Sequence, residues 1–155
     1  MRTRDYTVTK QLTIAAVQDL AALYPGSGGP IALKSVVIAP VNRTSLEACQ
    51  FTIHRLRVTV SSGSGGSSVT PRKVLGGDAA ATTTCHMGDT TQATTSGTNE
   101  SLYGDGWNEV NGAQVWLPRD LELTCNANEA LVVSLDVAPS ASVVANVTAV
   151  FGEAY

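Results

Sequence analysis

The chain is short of charge, of aromatic rings and of histidine. Charged residues make up 15% of its 155 positions, against about 25% in an ordinary soluble protein. Few side chains remain to hydrate an exterior, so part of the surface is expected to be buried in an assembly. Aromatic residues account for 5%, too sparse for a broad stacking platform of the kind lectins use. The two histidines, His54 and His86, lie far apart and neither belongs to an H-x-H pair. A jelly-roll metal enzyme needs such a pair beside a carboxylate. The three cysteines, Cys49, Cys85 and Cys125, are odd in number and include no C-x-x-C spacing. That argues against a disulfide framework and a zinc knuckle and for buried thiols.

Other motifs are missing too. The apolar run Leu12-Thr-Ile-Ala-Ala-Val17 meets Gln18 and Asp19 before it is long enough for a signal peptide or a membrane span. The expectation is a soluble product of a cytoplasm with no membrane partner. The stretch Ser61 to Lys73, SSGSGGSSVTPRK, never gives G-x-x-x-x-G-K-[ST], and no helical pattern follows it. It cannot cradle phosphates as a nucleotide loop does, and no nucleic-acid partner is expected. No G-x-S-x-G elbow occurs, and neither histidine has a recognisable acid partner in the sequence. No catalytic residue, cofactor or metal is therefore assigned, and an enzyme is not expected.

What is present is a period of two. Leu131, Val133, Leu135 and Val137 alternate with Val132, Ser134 and Asp136, and Val143, Ala145, Val147, Ala149 and Phe151 alternate in the same way. Both patterns predict strands with one apolar face. Ile31 to Ala39 and Gln114 to Leu117 read as strands stopped by Pro40 and Pro118. Phe51 and Ile53 hold one parity while Leu56, Val58 and Val60 hold the other, which predicts a bulge near His54-Arg55. Ile14 to Leu23 has helical composition, but strand is favoured because a helix would stand alone in a chain otherwise written in strands. Asp120 and Glu122 are expected to share one face of a solvated strand edge, and Asp89 to Gly106 to form a long exposed excursion. These segments, punctuated by glycine, proline and serine, predict a single all-β domain over residues 1–155. Its architecture is an antiparallel β-sandwich, jelly-roll-like, with residues 1–15 as an extended N-terminal arm.

Charge is unevenly placed. Up to Lys73 there are nine basic residues against three acidic, net +6; beyond it Arg119 stands against ten acids, net −9. One copy's basic face could meet another's acidic face, unless interleaved strands neutralise the signs locally. The stretch SSGSGGSSVTPRK reads as a loop and not an interdomain linker: Val58 and Val60 lead into it, and Val74 and Leu75 resume apolar character after it. Trp107, Tyr103 and Asp105 are the residues that would serve a carbohydrate-binding module. For Trp107, core packing or subunit contact is the better expectation.

Several of these residues also carry a resemblance. Ile53-His-Arg-Leu-Arg-Val58, the block ending in Val69-Thr-Pro71, Gly77-Asp-Ala-Ala-Ala81, Gly106-Trp-Asn-Glu and Trp116-Leu-Pro118 together resemble a family of small virion proteins of tailed bacteriophages. The resemblance spans Phe51 to Tyr155. Proteins of this kind resemble capsid decoration, or cement, proteins that sit as trimers on the outer shell. The resemblance implies a structural role on the capsid exterior, with the major capsid protein and further copies of the chain as partners. The residues expected at such contacts are Arg2, Arg4 and Lys10 in the arm, Ser64, Gly65 and Gly66 in the loop, Arg72 and Lys73 at its exit, and Trp107. A tail, neck or fibre-base subunit is the alternative within the virion.

Overall fold

A computed structural model describes residues 3–42, 48–108 and 110–154. The strands, in chain order, are β1 (Thr3–Ile14), β2 (Gln18–Tyr24), β3 (Ile31–Pro40), β4 (Ala48–Leu56), β5 (Val60–Ser61), β6 (Ser67–Ser68), β7 (Arg72–Lys73), β8 (Thr84–Met87), β9 (Thr94–Thr95), β10 (Asn99–Asn108), β11 (Ala113–Trp116), β12 (Leu123–Cys125), β13 (Ala130–Leu135) and β14 (Val143–Ala154). The chain is all-β and antiparallel, a sandwich of two sheets. The first sheet runs β11-β3-β14-β1-β7, with β12 also on β3; the second runs β10-β4-β13-β2-β8-β6. The strand reading of Ile14 to Leu23 holds, with a corner at 15–17 between β1 and β2.

The period of two builds the core. Along β14, Val143, Ala145, Val147, Ala149 and Phe151 are fully buried while Asn146 is exposed. From the facing sheet, Phe51, Ile53, Leu131, Val133 and Leu135 enter the same cluster. Tyr6 stacks on Phe151 at a ring separation of 5.7 Å. Each large side chain so buried stabilises the fold by about 1.5–3 kcal/mol.

The same force overturns the expected N-terminal arm. Tyr6, Val8, Leu12 and Ile14 carry the core-facing parity of β1 and are buried. The strand pairs with β14 along its whole length, from Thr3↔Ala154 to Ile14↔Val143. Met1 and Arg2 lie outside the described residues.

Four other expectations change. No bulge interrupts β4, which pairs β13 without a break from Leu56↔Ala130 to Phe51↔Leu135. Leu56 simply points to the other face, where it is buried with Ala22, Ala130 and Val132 beneath Tyr24, Val60 and Ala93. The irregularity sits instead on the partner strand β10, between Ser101 and Tyr103. Because both faces of β13 are covered, all six of its residues are buried, and the strand stops before Val137, which is 59% exposed. The exposed excursion is shorter than expected, since Asn99–Asn108 pairs with β4 as an edge strand. Asp120 lies in a 3₁₀ turn, Arg119–Leu121, and not on a strand beside Glu122.

The serine-glycine stretch ties the two sheets together. Ser64 bridges to Thr91, β6 pairs β8 in the second sheet, and β7 pairs Tyr6 and Thr7 of β1 in the first. Glycine is required by close approach: a Cβ on Gly66 would lie 2.5 Å from the Met87 carbonyl oxygen, and Gly65 adopts a φ of +90° that favours glycine. A second tie comes from Glu153 on β14. Its Oε1 accepts the amides of Thr82 at 2.9 Å and Thr83 at 2.6 Å, fixing the lead-in to β8.

Candidate functional site

Of the residues expected at contacts, Lys10, Arg72 and Lys73 gather at the β7 edge of the sandwich. Lys10 and Arg72 line one groove of about 480 Å³, together with hydroxyls of Thr7, Thr9, Ser67 and Ser68. Lys73 is exposed beside them on β7, followed by Val74 and Leu75 at 54% and 67% exposure. No ion pair involves Lys10, Arg72 or Lys73 among the described residues. Arg4 is half-buried on β1. Gly65 and Gly66 pack on 87–90 through close approach, so their glycine character serves the fold, while Ser64 remains exposed.

Trp107 does not belong to any surface. It is 4% exposed and part of the core, because the register Trp107↔Cys49 gives it the inward parity of Cys49, Phe51 and Ile53. Its placement among the capsid or subunit contact residues is corrected: the side chain packs in the core and offers no surface to a partner. The carbohydrate platform of Trp107, Tyr103 and Asp105 therefore does not form. Tyr103 tilts against Phe51 at 6.3 Å and donates its hydroxyl to Asp105 at 2.9 Å.

The exposed tryptophan is the other one. Trp116 and Leu121 are each 66% exposed and line an apolar groove of about 440 Å³ with Leu102, Tyr103, Leu117 and Pro118. Asp105 and Asp120 are exposed on this same edge and Glu122 half-exposed, where β10 and β11 end their sheets opposite β6 and β7.

Part of the charge asymmetry of the sequence cancels in space. Lys34 meets Asp5 at 2.6 Å. Arg55 and Arg57 share Glu100 at 2.6 and 3.2 Å, and Arg57 also holds Glu129 at 3.0 Å. Hydrogen bonds from the two guanidinium groups hold the Glu100 carboxyl below its ordinary pKa. Among the described residues Lys10, Arg72 and Lys73 of the basic groove form no ion pair, and neither does Arg119.

The fold also gives each histidine an acid that the sequence did not reveal. His54 Nε2 lies 3.8 Å from Asp136 Oδ1, and His86 Nδ1 lies 3.5 Å from Asp89 Oδ2. The Ser101 hydroxyl is 3.5 Å from His54 Nδ1, and Thr52 donates to the other oxygen of Asp136. Hydroxyl, imidazole and carboxylate thus stand in line, at separations longer than the roughly 2.6–3.2 Å of a working proton relay. Of these groups His54 and Asp136 line a pocket, where they suit recognition of a polar ligand.

Burial shapes the remaining titratable groups. It pushes the Cys85 and Cys125 thiols up to about 12, and all three cysteines are buried, as expected from sequence. No group of three or more metal-ligating side chains gathers among the described residues, and no helix among them is long and apolar enough to cross a membrane.

Comparison with known proteins finds no matching family model, no similar curated protein and no similar solved structure.

Proposed function

We propose that this chain is a structural virion protein of a tailed bacteriophage, a capsid decoration or cement protein that binds the major capsid lattice as a homotrimer. The observation that carries the proposal is the complementarity of the two sandwich edges. One presents Lys10, Arg72 and Lys73 with exposed Val74 and Leu75; the other presents Asp105, Asp120 and Glu122, offset in part by Arg119, with exposed Trp116 and Leu121. Joined edge to edge, copies make a head-to-tail contact, which closes into a ring when the rotation allows. Opposite charges steer the encounter, and the apolar side chains supply the buried centre. A ring of three engages a symmetric lattice through several modest contacts at once, so avidity exceeds the affinity of any one.

The strand order supports a shell role. Chain-sequential strands β1, β2, β3 and β4 alternate between sheets, as do β13 and β14, and the inner orders are β11-β3-β14-β1 and β10-β4-β13-β2. We read this alternation as a jelly roll, an architecture common in viral capsid proteins.

Quantitative mass spectrometry of purified particles tests the assignment. Abundance comparable with the shell protein is the expected result. A small fraction of that abundance would move the chain to a tail, neck or fibre-base position, and absence from the particle would contradict the proposal.

A further inference from the structure

We propose that a pocket on the outer face of the second sheet binds a single neutral sugar ring. It draws Asn99 from the edge strand β10 and includes none of the dispersed Trp107, Tyr103 and Asp105. The cavity is about 230 Å³, below the roughly 300 Å³ at which pockets for drug-sized ligands begin, and so takes one ring.

Leu56 and Val132, each 2% exposed, lie beneath the cavity with Ala93 packed over them, so a ligand meets chiefly the polar side chains of the lining. Among these are His54, Gln92, Asn99 and Asp136. The two amides each offer a donor and an acceptor, and the carboxylate accepts from two neighbouring hydroxyls. Sugars present this alternation of donors and acceptors around an apolar ring face. No lysine or arginine is among the described lining residues, and the Asp136 carboxylate repels anions. Phosphate and carboxylate ligands are thereby disfavoured.

The lining is held in place from beneath. Asp19 is 1% exposed. It accepts the Ser134 hydroxyl at 2.8 Å and the Ala93 amide at 2.7 Å, and the Gln92 side chain bonds to it as well. Asp136 is gripped by Thr52 and faces His54. A wall fixed in this way loses little freedom on binding. No aromatic ring among the described lining residues is there to stack on the sugar, so the binding is weak.

The test is a titration of the full chain with glucose, galactose, mannose and N-acetylglucosamine in turn, followed by amide NMR. At least one sugar should give saturable shifts confined to residues 52–56, 92–93, 99 and 134–136. Asn99→Ala, which removes a lining side chain that makes no hydrogen bond among the described residues, should weaken binding several-fold while the rest of the spectrum stays unchanged. Asp136→Asn should weaken it further. Linear or scattered shifts with every sugar, or binding unchanged in Asn99→Ala, would overturn the proposal.

Discussion

Ser134 and Asp19 face each other across β13 and β2, and the serine hydroxyl donates to the buried carboxylate at 2.8 Å. The strand pairing shifts register at this point, between Val133 and Ser134, so that both side chains share the outer face. Burial raises the Asp19 pKa, partly offset by hydrogen bonds from Ala93 and Ser134. A carboxylate with a raised folded pKa contributes stability below its unfolded value and loses it as pH rises through the folded value. Relative to Asp19→Asn, the native chain should therefore gain in melting temperature as pH falls from neutral towards the carboxylate range. A relative loss over that interval would contradict the account. Ser134→Ala removes a bond to a buried ionisable group and should cost about 1.5–3 kcal/mol in urea unfolding at neutral pH.

The glycines of the tie between sheets make a sharper prediction. Gly66→Ala forces a Cβ to within 2.5 Å of the Met87 carbonyl and 2.6 Å of Asp89 Oδ1, and should destabilise by about 1–3 kcal/mol. Gly76→Ala meets nothing within 4 Å and should change stability by no more than about 0.5 kcal/mol. Equal effects in chemical denaturation would show that the stretch is not closely packed.

Thiol chemistry should be silent in the folded chain. Cys85 and Cys125, pushed up to about 12 by burial, and Cys49, 4% exposed, should resist a thiol-specific reagent until denaturant is added. The reactive species is the exposed thiolate. Prompt labelling of the native protein would contradict the burial.

How much of this was legible beforehand depends on what covers each face. Val143 to Phe151 announce β14 because one side of that strand meets the core and the other is left more open. Leu56 and Val132 mislead, since their outer face is buried by Tyr24, Val60 and Ala93, which come from elsewhere in the chain. The pairing of Arg72 and Lys73 with β1, and of His54 with Asp136, is likewise a product of tertiary register that no local pattern carries. Trp107 stands between Gly106 and Asn108 and Trp116 between Val115 and Leu117, so local hydropathy points to the wrong one as buried. Cross-strand register decides the outcome for Trp107, which pairs with core-facing Cys49, while Trp116 pairs with Ser35 and stays 66% exposed.

That separation can be tested by truncation. Trp107→Ala empties a core site and should cost about 3–5 kcal/mol. Trp116→Ala leaves the fold within about 0.5 kcal/mol but should abolish self-association in sedimentation equilibrium. Lys73→Glu should weaken association, and pairing it with Asp120→Lys should restore part of the loss, the signature of a direct coupling across the interface. Additive losses would show that these edges do not meet.

The most direct measurement is a reconstruction of the intact particle by electron microscopy. The account predicts this sandwich on the outer shell in threefold groups, with the β7 edge of each copy against the β11 edge of the next. Density for the chain only at the neck or tail, or trimers joined through other surfaces, would contradict it.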